Sequence, residues 1–98
     1  MTFVCPVCGY PYLEDEPWHG YSASDDICPS CGIQFGYDDV KEACGREGTK
    51  DELQERWRKE WVDKGMPWKI KGIKPPENWD PKKQLEQMGI NVNDYFKK

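Results

Sequence analysis

A single histidine stands in 98 residues, so neither a histidine-rich metal cluster nor a Ser/His/Asp relay has more than one imidazole to build on. No apolar run approaches the roughly 20 residues that cross a bilayer. No apolar segment near Met1 has the length and flanks of a secretory leader. Glycine-rich phosphate loops and nucleophile elbows are also missing, which removes the commonest nucleotide and acyl-transfer chemistries. Together these absences predict a cytosolic chain that is not an enzyme and has no membrane partner.

Cysteine is sparse but ordered. Four of the five cysteines lie in two matched loops, Cys5-Pro6-Val7-Cys8-Gly9 and Cys28-Pro29-Ser30-Cys31-Gly32, with 19 residues between Cys8 and Cys28. A Cys-x-x-Cys turn lets two sulfurs reach one ion, and two such turns complete a tetrahedral thiolate shell with no open position. A closed shell is structural, because it leaves no site for an activated water. The expected ligands are Cys5, Cys8, Cys28 and Cys31, and the expected cofactor is one structural zinc ion, with iron as the alternative because the two metals share this donor set. An odd number of cysteines, four of them at ligand spacing, argues against a secreted disulfide framework.

With 37% hydrophobic and 33% charged residues and 13% aromatics, the chain has too many apolar anchors to read as disordered. At this length a metal clip supplements a small core. Net charge is −4 and unevenly spread: residues 1–48 carry nine acids against two bases, residues 49–98 nine acids against twelve bases. Nucleic acid is therefore disfavoured as a partner of the first half.

The order of signals predicts an α+β fold in one domain, residues 1–98, with a zinc-ribbon part at 1–37 and a helical extension at 38–98 packed on it. Tyr10 to Leu13 reads as a short edge strand broken by Pro11, Glu14-Asp15-Glu16-Pro17 as a solvated turn, and Trp18 to Tyr21 as the start of a return arm toward Ile27. Asp39 and Glu42 have capping-box spacing for a short helix ended by Gly45, with Val40, Ala43 and Cys44 on one side. A stronger helix runs from the Thr49 cap to Gly65, with Leu53, Trp57 and Trp61 spaced by four. Trp68 to Lys71 alternates like an extended segment before Pro75-Pro76. Asp80-Pro81 then caps a helix carrying Leu85 and Met88, stopped by Gly89. The tail Asn93-Asp94-Tyr95-Phe96 is too short to assign.

The knuckles, Cys5 to Tyr12 and Ile27 to Ile33, resemble the metal loops of rubredoxin and rubredoxin-like zinc ribbons. Rubredoxins separate their loops further and lack a helical tail. Over most of the chain, the order of knuckles, Gly20-Tyr21, Phe35-Gly36-Tyr37-Asp38-Asp39, Leu53 to Gly65 and Asn78-Trp79-Asp80-Pro81 resembles the bacterial cysteine-rich CPCC-type family. That resemblance implies a bacterial zinc-ribbon protein and no reaction.

The remaining residues divide between packing and function. Cys44 is expected as a small buried hydrophobe, the alternative being a reactive thiol. With four thiolates filling the shell, His19 is expected outside it. Leu53, Trp57 and Trp61 are expected to cover the ribbon, the alternative being a partner-binding stripe. Lys69, Lys71 and Lys74, and the acids Glu14-Asp15-Glu16, Asp25-Asp26 and Asp38-Asp39, are expected as solvated faces, turns and caps. The leading expectation is a zinc-stabilised module whose acidic ribbon meets a basic protein partner. A rubredoxin-like iron electron carrier and a nucleic-acid-binding ribbon using the three lysines are the alternatives.

Overall fold

A computed structural model describes residues 2–95. The order of elements is β1 (Trp18–His19), β2 (Ser22–Ala23), α1 (Lys41–Cys44), α2 (Lys50–Asp63), α3 (Pro81–Glu86) and a 3₁₀ turn at Val92–Tyr95. β1 and β2 form an antiparallel hairpin with Trp18 opposite Ala23 and His19 opposite Ser22. Gly20, at φ 64°, sits in the turn between them. The fold is thus a small mixed one, an antiparallel two-strand hairpin with helices.

The regular strands are shorter and placed later than the alternation suggested. Tyr10 to Leu13 forms no strand; its pairing is reduced to one bridge between Phe3 and Leu13, matched in the second knuckle by a bridge between Ile27 and Gln34. Pro11 supplies no N–H to extend a ladder.

α2 forms for the reason its sequence indicates. Thr49 Oγ1 accepts from the amide of Glu52, and the Glu52 carboxylate accepts from the amide of Thr49, at 3.2 and 2.9 Å. A cap of this kind contributes about 1 kcal/mol. α3 opens with Asp80 accepting from the amides of Lys82 and Lys83, and Pro81 follows where no N–H is needed. α1 departs from expectation: its N-cap is Val40 without a side-chain cap, Ala43 is exposed and Cys44 only half-buried. The helix presents no buried face.

Asp39 is withdrawn from capping because it is inside the protein, at 1% exposure. Its carboxylate accepts from Trp18 Nε1 at 2.9 Å, Gln54 Nε2 at 2.9 Å and the Gly36 amide at 2.8 Å. It ties the hairpin, the second knuckle's exit and α2 together, and so is neither a solvated turn nor a cap. Asp38 likewise accepts from the Gln34 amide.

The core joins the knuckles to the extension. Cys5, Val7, Cys8, Ile33 and Phe35 from the first part pack with Trp61, Val62, Met66, Leu85 and Val92 from the second. The 3₁₀ turn touches both α2 and α3; Phe96, assigned to the same tail by sequence, lies outside the described residues. Among the described residues no helix is long and apolar enough to cross a membrane.

Candidate metal centre

The two knuckles repeat one backbone scheme. In the first, the Cys5 amide donates to the Tyr10 carbonyl at 2.8 Å and the Gly9 amide to the Cys5 carbonyl at 2.9 Å. In the second, the Cys28 amide donates to Ile33 at 2.9 Å and the Gly32 amide to Cys28 at 2.8 Å. Gly9 and Gly32 take φ of 86° and 81°, where a side chain is strained. Gly9 has a second reason to be glycine: a Cβ there would stand 2.5 Å from the Gln84 carbonyl.

These turns aim four sulfurs at one point. The Sγ atoms of Cys5, Cys8, Cys28 and Cys31 all lie within 4.8 Å of one another and all four residues are buried. Cys8 and Cys28 are 3.6 Å apart, Cys5 and Cys31 4.0 Å. A tetrahedral ion with sulfur ligands near 2.3 Å requires sulfur–sulfur edges of about 3.8 Å, and the two separations bracket that value. The donor set therefore fits a four-coordinate thiophilic ion.

Electrostatics lead to the same requirement. Burial pushes the Cys5 and Cys31 thiols well above their ordinary range. Burial acts the same way on Cys8, but hydrogen bonds from Cys28, Cys31 and Cys5 outweigh it and hold that thiol well below. Four sulfurs this close in a dry site cannot all ionise against one another unless a cation balances them.

Around the sulfurs, the loop carbonyls are held by the helical extension. Arg58 donates from Nη2 to the Pro6 carbonyl at 2.8 Å and from Nε to the Val7 carbonyl at 2.6 Å. Gln84 Nε2 donates to the Cys8 carbonyl and to Ser30 Oγ, both at 3.0 Å, and Gln84 Oε1 accepts from Trp79 Nε1 at 3.0 Å. Trp57 Nε1 donates to the Cys31 carbonyl at 2.9 Å, and the amides of Lys69 and Ile70 both donate to the Pro29 carbonyl at 3.1 Å. Every carbonyl from Pro6 to Cys8, and those of Pro29 and Cys31, therefore has a donor from beyond residue 56. Outer contacts of this kind orient metal ligands. The Arg58 guanidinium also brings positive charge to a loop whose thiolates would be negative.

The sequence placed the four cysteines, Trp57 and Trp61, and the structure brings all six to this region. Trp61 is buried and Trp57 half-buried against the core. His19 stands apart, 92% exposed and 3.2 Å from Glu16. Cys44 lies outside the sulfur cluster. Arg58 and Gln84 were not anticipated. Arg58 follows Trp57 directly, and its place on the edge of the apolar stripe is the one signal that could have pointed to it.

The chain is similar to two uncharacterized proteins of Bacillus subtilis (strain 168). It is 38% identical to YoaQ over 71 residues and 33% identical to YozI over 72 residues, each match covering 65% of this chain. The match accounts for 60% of the length of each relative. No protein-family model matches the chain. No solved structure matches it.

Proposed function

We propose that this chain is a structural zinc protein, a small interaction module whose metal centre sets its shape and whose surface meets a protein partner. The observation that carries this reading is the enclosure of four sulfurs at tetrahedral spacing, with the loop carbonyls bonded from the extension. A shell of four thiolates leaves no coordination position for substrate or water, so the metal serves the fold and no reaction is assigned to it. This agrees with the likeness of the chain to rubredoxin-like zinc ribbons and to the CPCC-type bacterial family.

Zinc is favoured over iron by the environment of the sulfurs. Iron–thiolate carriers set their potential partly through hydrogen bonds to the ligand sulfurs. Among the described residues one backbone amide reaches a ligand sulfur, Val7 N to Cys5 Sγ at 3.4 Å. The donors of the extension go to carbonyls instead, an arrangement that fixes shape. The reduced thiolates this centre needs fit a cytosolic setting, and the acid-rich first half favours a protein partner over nucleic acid.

The test is metal analysis of protein purified from cells grown with both metals. One zinc per chain and no visible absorption support the reading. One iron per chain, with a red colour and a reversible redox couple, would replace it with electron transfer.

A further inference from the structure

The first knuckle's exit, the entry to the second and the loop at Ile73 enclose a groove of about 300 Å³. Its apolar surface comes from Tyr12, Ile27 and Ile73, which are 54%, 48% and 49% exposed. Its rim carries the carboxylates of Glu14, Asp15 and Asp26. We propose that this groove docks a segment of a partner protein that places a lysine or arginine beside a large apolar side chain. This rests on the interaction-module reading and assigns that module its surface and the chemistry of its partner.

The groove is held in shape before anything binds. Tyr10, buried beneath it, makes edge contacts with Tyr12 and with Trp68, each with ring centroids 5.7 Å apart. Trp68 Nε1 in turn donates to the Ile70 and Ile73 carbonyls at 2.8 and 2.7 Å, fixing the loop that carries Ile73. The bridges Phe3 to Leu13 and Ile27 to Gln34 set the two facing walls. Preorganised walls reduce the ordering cost of association.

Charge selects the occupant. Among the described residues, the ion pairs join Lys41 to Glu47 and Arg46 to Glu60, and His19 stands 3.2 Å from Glu16; none of these includes Glu14, Asp15 or Asp26. These carboxylates repel one another, and a cation set among them relieves that repulsion. A phosphate backbone would increase it, which excludes nucleic acid from this face. The volume suits one or two side chains, and the apolar floor removes a purely charged ligand from consideration.

The experiment selects a random dodecapeptide library against the zinc-loaded full chain, then titrates one enriched peptide by NMR. The expected consensus pairs a basic residue with a large apolar one, and the expected shifts centre on Tyr12, Ile27 and Ile73. Glu14→Gln/Asp15→Asn/Asp26→Asn weakens binding at least tenfold, as does Ile73→Ser, while the exposed control Glu55→Gln/Asp63→Asn changes it less than twofold. No enrichment, an acidic or wholly polar consensus, shifts centred elsewhere, or unchanged affinity in the carboxamide variant would each overturn the proposal. So would a concentration-dependent dimer abolished by Tyr12→Ser, which would give the groove to a second copy of this chain. Zinc content measured on every sample separates the outcomes: loss of peptide binding with one zinc retained is a failure of the groove, and absence of zinc is a failure of the metal reading.

Discussion

Gln84 and Cys8 stand 76 positions apart, yet the side-chain amide of Gln84 donates to the Cys8 carbonyl at 3.0 Å. The same nitrogen reaches Ser30 Oγ in the second knuckle, so one glutamine from α3 bridges both cysteine loops. Replacing it with leucine fills the space but leaves the Cys8 carbonyl, the Ser30 hydroxyl and the Trp79 indole without these partners. Unsatisfied groups of this kind cost about 1–3 kcal/mol each. Gln84→Leu should lower stability by about 3 kcal/mol or more and speed zinc transfer to a colorimetric chelator. Exposed Lys82→Ala should do neither. Equal release rates in both variants would show that α3 has no hold on the loops.

Arg58 makes the corresponding contact from α2. Arg58→Lys keeps the charge but loses the planar fork that spans the Pro6 and Val7 carbonyls. We expect destabilisation of about 1–3 kcal/mol, read as a lowered melting temperature, with faster metal release. Rescue of both properties by lysine would mean that charge alone is required.

The tryptophans should separate by burial. Trp61 is inside and donates to the Pro67 carbonyl at 2.8 Å, so Trp61→Ala should cost about 3–5 kcal/mol. Trp57 is half-buried and its indole holds the Cys31 carbonyl. Trp57→Phe keeps most of the packing and should cost about 1–2 kcal/mol through the lost hydrogen bond. Unchanged thermal melts in both variants would move this stripe to a binding surface.

Two carboxylates should respond to pH in opposite senses. The Arg46 guanidinium, bonded to both oxygens of Glu60 at 3.0 Å, holds that acid below its ordinary range. Its contribution is present above the usual carboxylate pKa and is lost as pH falls through the lowered one. Asp26, raised chiefly by Asp15, carries a penalty at neutral pH that fades as acidification protonates it. Asp26→Asn should therefore raise the melting temperature at neutral pH and lose that advantage in acid, whereas Glu60→Gln should do the reverse. Both sites are exposed enough for solvent to keep each effect under about 1 kcal/mol. A melting series from neutral to acidic pH checks the two signs.

Much of the site was legible because its signals are local. Cysteine spacing, two glycines at positive φ, the Thr49 and Glu52 capping box and the Asp80-Pro81 start each act within a few residues. α2 accordingly spans Lys50–Asp63, against an expected helix from Thr49 to Gly65. What escaped was decided at long range. Asp39 has the spacing of a cap, but Trp18 and Gln54 offer it buried donors and the competition draws it inward. Nothing near Gln84 in sequence marks it as a partner of the knuckles, and Arg58 is marked only by its place beside Trp57, since their carbonyl acceptors lie more than 50 positions away. The strands failed at Pro11 because the sulfur turns and single bridges hold the knuckle arms where a ladder was expected.

The central claim is that the metal and the packing of the extension form one unit. It is tested most directly by titrating the full chain with a tight zinc chelator while recording released zinc and the near-UV circular dichroism of the tryptophans on one sample. Structural zinc sites contribute on the order of 10 kcal/mol of apparent binding energy, more than the stability of many small domains. Zinc release should therefore coincide with loss of the tryptophan signal, one ion per chain, and restored zinc should bring the signal back. Complete removal of the metal with an unchanged near-UV spectrum would contradict the account.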